Sequence, residues 1–151
     1  MGEPKRRLAL RERAIAYLAQ REHSHAELGR KLARHADDPA EIPGLLDELV
    51  RRKLLSDDRY AEVRANALAR KFGATRIAWE LRAKGVGRAA IAQATRVLRA
   101  TELARAREAW AKRFGREPRT TAERAKQTRF LQGRGFALDT IRRVVRGAEE
   151  D

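Results

Sequence analysis

The chain has no cysteine, one methionine and four prolines among 151 residues. Without cysteine, disulfide frameworks and thiolate zinc sites are excluded. Aromatic residues are only 5% of the total. A core left to Leu, Ile, Val and Ala favours packed helices over a β-sandwich. No run approaches the roughly 20 apolar residues that a membrane-spanning helix requires. The opening MGEPKRRLALRERAIAYLAQRE has no uninterrupted apolar segment of the secretory type. The expectation is a soluble cytoplasmic protein without a membrane partner.

Charge is abundant. Charged residues are 37% of the chain, and 35 Lys and Arg against 21 Asp and Glu give a net charge of +14. An excess of that size points to an anionic partner: nucleic acid, a nucleoprotein or an acidic protein surface. The excess is uneven. Residues 1–55 carry a net +3, residues 56–100 a net +6 and residues 101–151 a net +5. The middle segment is the least compensated and is the first candidate for a binding surface.

The hydrophobic pattern is helical throughout. Leu8, Ile15 and Leu18 mark a first helix, and Leu28 and Leu32 a second. Ile42, Leu45, Leu46, Leu49 and Val50 mark a third. Capping boxes are expected at Ser24–Glu27 and Thr120–Glu123, with a similar device at Asp38–Glu41, Pro39 being first in its helix. A fourth helix is expected from Ser56 or Asp57 through Phe72 to Gly73. A short one follows from Thr75 with Ile77, Trp79 and Leu81, then one from about Gly87 with Ile91, Ala94, Val97 and Leu98. The last round runs through Leu103, Trp110 and Phe114 to Gly115. It continues through Phe130 and Leu131 and closes with Leu138, Ile141, Val144 and Val145.

A phrase is written twice in this order. LRAKGV at 81–86 and LQGRGF at 131–136 share Leu, a basic residue, Gly and an apolar residue, each followed five residues later by Ile91 or Ile141. Each phrase is expected to end the second helix of a three-helix unit. The Leu packs inward and the Gly takes a positive φ just past the helix. Lys71-Phe72-Gly73 likewise matches Arg113-Phe114-Gly115, and the first unit matches more weakly, with Leu32 but no following Gly. The fold class expected is all-α: three tandem three-helix, helix-turn-helix-like repeats at 1–55, 56–100 and 101–151. They would stack into an elongated, curved rod.

A three-helix unit with a tight Gly turn could be a helix-turn-helix reader of DNA, or simply a stable way to pack short helices. Asp139 early in the last helix would repel phosphate, so base-specific reading is poorly supported. The basic residues of the middle segment are Arg59, Arg64, Arg70, Lys71, Arg76, Arg82, Lys84, Arg88, Arg96 and Arg99. Between positions 59 and 99 they face only Glu62 and Glu80. The candidate binding face takes Arg59, Arg64, Arg70, Lys71, Arg76, Arg82, Lys84 and Arg88, with Arg129 and Arg134 beside the later turn. Arg64 and Lys71, seven apart, are expected to share a helix face. Helical spacing assigns Tyr60, Phe72, Trp79, Trp110, Phe114, Phe130 and Phe136 to the core before base stacking. His23, His25 and His35 read as capping or surface residues, not as a metal site. Lys84-Gly85-Val86-Gly87 lacks the strand and the Ser or Thr of a phosphate loop. No nucleophile–base pair stands out, so no catalysis, cofactor or metal is expected.

Three stretches resemble one family. EHSHAELGRKL at 22–32, LLSDDRYAEVRANALARKFGATRIAWELRAKGV at 54–86 and RFLQGRGFALDTIRRVV at 129–145 are similar, in order, to the motifs of the RecX family. That resemblance implies a monomeric modulator of the RecA recombinase, built of stacked three-helix repeats, that binds the RecA–DNA filament. It would suppress ATP hydrolysis, strand exchange and co-protease activity. The partners it implies are that filament and, with weak salt-dependent affinity, single- or double-stranded DNA. The competing reading is a helix-turn-helix transcriptional or architectural protein.

Overall fold

A computed structural model describes residues 3–146, with side chains from residue 9 onward. Leu8's side chain and residues 147–151 therefore lie outside the described residues. The described residues form nine α-helices and no strand: α1 (Glu3–Gln20), α2 (His25–Ala33), α3 (Glu41–Arg51), α4 (Asp57–Leu68), α5 (Ala74–Ala83), α6 (Arg88–Arg99), α7 (Glu102–Arg113), α8 (Thr121–Gly133) and α9 (Leu138–Val144). None of these helices is long and apolar enough to cross a membrane.

Two compact units emerge. Unit 1 holds the described residues up to Val63 together with Leu81–Ile91. Unit 2 holds Arg64–Glu80 and the described residues from Ala92 onward. In unit 1, α2 packs on α1 and α3, around Leu10, Ala14, Leu28, Leu32, Leu46 and Leu49. In unit 2, α7 packs on α8 and α9, around Ala106, Leu131, Phe136, Ile141, Val144 and Val145. Each fully buried Leu or Ile contributes about 1.5–3 kcal/mol.

The twice-written phrase folds twice into one shape. Leu81 and Leu131 are fully buried. Gly85 and Gly135 take φ of 80° and 84°, the region where only glycine escapes a Cβ penalty. The amide of Val86 donates to Leu81 O at 3.1 Å, and that of Phe136 to Leu131 O at 3.2 Å. This six-to-one bond is the Schellman closure of a helix.

The caps are formed in part. Ser24 Oγ accepts from the Glu27 amide at 3.0 Å, and Thr120 Oγ1 from the Glu123 amide at 3.1 Å. The reciprocal halves differ from expectation. Glu27 instead receives both guanidinium arms of Arg21, at 3.0 and 2.9 Å. Glu123 reaches one residue further back, to the Arg119 amide at 2.8 Å. The Asp38 device does not cap α3. Asp38 Oδ1 closes its own turn on the Ala40 amide at 3.0 Å, and Ala40, at the N-cap, offers no side-chain oxygen.

Other expectations are corrected by helical phase. α4 stops at Leu68, so Phe72 lies in the turn beyond it and Gly73 does not end the helix. Trp79 is 59% exposed, because Ala74, Ile77 and Leu81 set the inward face of α5 and Trp79 is two residues off that line. Val97, 71% exposed, misses the face set by Ile91, Thr95 and Leu98 in the same way. Ile15, Val50 and Leu138 are also exposed. Phe136 and Tyr60 are buried, and Phe72, Trp110, Phe114 and Phe130 are half-buried.

Candidate nucleic-acid and partner interface

The turn after each phrase is pinned by a pair of contacts that recurs in both units. In unit 1, Ser24 Oγ donates to Lys84 O at 2.7 Å, and Asp57 Oδ1 accepts from the His25 amide at 2.7 Å. In unit 2, the Gly73 amide donates to Arg134 O at 2.9 Å, and Glu102 Oε1 accepts from the Ala74 amide at 2.7 Å. Each carboxylate stands on the first residue of its helix and neutralises an orphan amide at the start of another helix. Gly85 abuts Ala26 and Gly135 abuts Arg76 so closely that neither could carry a Cβ. Gly73 is required for approach: a Cβ there would meet Gly135 O at 2.5 Å. These pins fix Lys84 and Arg134, both basic, at matched places.

The two units then treat charge differently. In unit 1 several arginines are answered by glutamates. Arg59 pairs with Glu22 at 2.9 Å, Arg21 with Glu27 at 2.9 Å and Arg11 with Glu48 at 3.3 Å. Arg82 and Arg88 are exposed, and Lys84 is half-buried.

His23 is fully buried in unit 1, against the expected surface or capping role. Its Nε2 lies 2.8 Å from Lys31 Nζ, which can only donate. Nδ1 therefore carries the hydrogen and donates to Arg21 O at 3.0 Å. Burial holds its pKa below the ordinary histidine range, and Arg21 and Lys31 push the same way. The Arg21 hydrogen bond, with the charges of Arg21 and Lys31 behind it, holds the Glu27 carboxyl below its ordinary value.

In unit 2 the cations converge. A cleft of about 400 Å³ is bordered by Arg70, Lys71, Arg105, Lys112, Arg113 and Arg134. Its one carboxylate is Glu108, which Lys112 engages at 3.3 Å. Arg70 and Lys71 lie in the turn beyond α4, so the shared helix face expected for Arg64 and Lys71 does not exist. Arg134 reaches back across the turn, Nη1 donating to Lys71 O at 3.2 Å. Its guanidinium stands 4.8 Å from the Phe130 ring centre, and that of Arg113 stands 5.8 Å from it. Phe114 meets Phe130 edge-on, centroids 5.4 Å apart and planes at 90°. Stacking on the phenyl face orients both guanidinium forks without spending their N–H donors.

Arg105 has a different part. Its donors go to Ala69 O, Phe72 O and Leu98 O at 3.1, 2.8 and 3.0 Å, and to Thr101 Oγ1 at 3.2 Å. It closes the carbonyl ends of α4 and α6 and places a cation in the cleft wall. Burial lowers its pKa, with only the Glu102 charge acting against that.

Six of the ten sequence candidates lie in unit 2: Arg64, Arg70, Lys71, Arg76, Arg129 and Arg134. Arg70, Lys71 and Arg134 meet at the cleft. Arg64 and Arg129 are exposed on α4 and α8. Arg76 is engaged already, 3.4 Å from Glu80 and stacked between Phe72 and Trp79 at 5.0 and 5.7 Å. Arg59, Arg82, Lys84 and Arg88 lie in unit 1. Sequence reasoning missed Arg105, Lys112 and Arg113. The last two were signalled by the Arg113-Phe114-Gly115 match to Lys71-Phe72-Gly73. Arg105 was not, since four places into its helix it stands where α4 has the buried Tyr60. Among the described residues no group of three or more His, Cys, Asp or Glu could hold a metal ion.

Comparison with known proteins agrees across the chain. The family model of the second three-helix domain of RecX matches residues 56–94, and that of the third matches residues 100–145. "Regulatory protein RecX" of Leptothrix cholodnii is 48% identical over the whole chain and 96% of its own length. The protein of that name from Ralstonia nicotianae is 43% identical over 99% of this chain and 94% of its own. The crystal structure of RecX from Lactobacillus salivarius superposes with a TM-score of 0.80 at 19% identity, covering 94% of this chain and 96% of its own.

Proposed function

The chain belongs to the RecX family, and from that premise we propose that it is a non-enzymatic regulator of the RecA recombinase that binds the RecA–DNA filament. Binding would suppress ATP hydrolysis, strand exchange and co-protease activity, and so restrain recombination, repair and the SOS response. The observation that carries this reading is the gathering of six cations against one carboxylate at the unit 2 cleft. A protein that tolerates such crowding loses stability through self-repulsion unless an anion answers it. A filament presents phosphates and acidic side chains at once, and salt would weaken contact with both.

Arg70, Lys71 and Arg134 are the core of the proposed contact, and Arg113 and Lys112 join them. Arg64, Arg76 and Arg129 extend it, while Arg59, Arg82, Lys84 and Arg88 are secondary. The reading takes residues 1–55, 56–100 and 101–151 as the three repeats, supported for the later two by the family matches. It also places the protein in the cytoplasm, where its partner works, and treats it as a monomer. The test is RecA ATPase on single-stranded DNA with and without the purified chain. Suppression at stoichiometric protein, relieved by salt, is expected. Unchanged hydrolysis at saturating protein would overturn the proposal.

A further inference from the structure

The unit 2 cleft is built more narrowly than a general electrostatic footprint requires. Its volume, about 400 Å³, is at the lower end of small-ligand sites, too small for a duplex and too large for a lone orthophosphate. Two of its guanidiniums, Arg113 and Arg134, are oriented in advance by Phe130. Arg105 is a partly buried cation that hydrogen-bonds to uncharged oxygens, with the Glu102 charge nearby but not bonded to it. Its charge adds to the positive field at the cleft wall. Forked guanidiniums suit phosphate oxygens in pairs, and lysine supplies a point charge.

We infer that this cleft is a binding site for a linear di- or triphosphate, free or carried on a nucleoside. The inference deepens the function proposed above and rests on it only in using the same site. A ligand there would occupy Arg70, Lys71 and Arg134 and compete with the filament for them. The nucleoside is a passenger, because the phosphates make the contacts.

Calorimetric titration of the full chain, without recombinase, tests this. Magnesium-free tripolyphosphate should bind saturably, one per chain, with orthophosphate weaker by about tenfold or more. ATP should match tripolyphosphate within about threefold. The pair Arg70→Glu and Arg113→Glu should weaken tripolyphosphate by about tenfold or more, whereas Arg82→Glu with Arg88→Glu, the same change in net charge in unit 1, should alter it by less than about threefold. Arg113→Ala alone, at an exposed position, should still cost about threefold if the double variant does not fold. Equal losses in the two double variants would reduce the effect to diffuse attraction and overturn the inference. So would equal affinity for orthophosphate, absence of saturable binding, or binding of ATP without tripolyphosphate. Because no recombinase is present, failure here leaves ATPase suppression standing, and failure of suppression leaves this binding standing.

Discussion

Unit 1 and unit 2 share one backbone device and differ in the side chains that work it. In unit 1 a serine hydroxyl holds the carbonyl before Gly85, and an aspartate caps the neighbouring helix. In unit 2 the Gly73 amide holds the carbonyl before Gly135, and a glutamate does the capping. The geometry has been kept while the chemistry drifted, which is what a backbone constraint looks like. The charges on the two frames diverge further. Unit 1 ties Arg11, Arg21 and Arg59 to glutamates, whereas unit 2 leaves six cations around one cleft. The shared device positions the turns, and the unshared charge makes unit 2 the proposed contact surface.

The largest effects should fall on the glycines of the device. Gly135→Ala should cost about 1–3 kcal/mol for its left-handed backbone alone, before the clash with Arg76 is added. Gly85→Ala should behave alike. Gly133→Ala, in a helix with open space around it, should instead stabilise by about 0.5–1 kcal/mol. Urea unfolding of the three variants checks the contrast, and equal destabilisation by Gly133→Ala would show that the device is not the source.

Legibility in the sequence follows from the same distinction. The doubled phrase was readable because its Leu, Gly and apolar residue each answer a local demand: burial, a positive φ, a tether. The helix count followed from periodicity. Trp79 and Val97 were misplaced because an apolar residue one or two steps off the inward line still scores as periodic. The carboxylate caps of Asp57 and Glu102 join helix starts 32 and 28 residues apart, a distance over which no local pattern speaks. The cleft was half legible. Arg70 and Lys71 stood out by missing counter-charges and Arg134 by its place beside the later turn; Lys112 and Arg113 were signalled only by the repeat match, and Arg105 joins them only through packing of α7 on its neighbours.

The capping carboxylates should come next in size. Asp57→Ala and Glu102→Ala should each cost about 1–2 kcal/mol. Glu102 should be the larger because it is buried and also accepts from Thr140 at 3.4 Å. Chemical denaturation of both variants would show the order, and a larger loss at Asp57 would reverse it.

Acid should separate the units by smaller steps. His23 has a folded pKa below its unfolded value, so its neutral form favours the fold. Its contribution is complete above pH 6.5 and falls as pH drops through the folded pKa. Glu27, also depressed, contributes fully above pH 4.5 and loses that share on further acidification. Both losses belong to unit 1. His23→Asn, which keeps a donor for Arg21 O, should remove the first step. A stability profile between pH 7 and 5 unchanged by that substitution would show that His23 does not titrate with folding.

The most direct measurement is RecA ATPase on single-stranded DNA with two charge-matched triple variants. One carries Arg70→Glu, Lys71→Glu and Arg113→Glu in the unit 2 cleft; the other carries Arg82→Glu, Lys84→Glu and Arg88→Glu in unit 1. With helical content intact in both, the account predicts that the cleft variant loses suppression by about tenfold or more in effective concentration while the unit 1 variant keeps most of it. Equal loss in both, or suppression retained by the cleft variant, would contradict it.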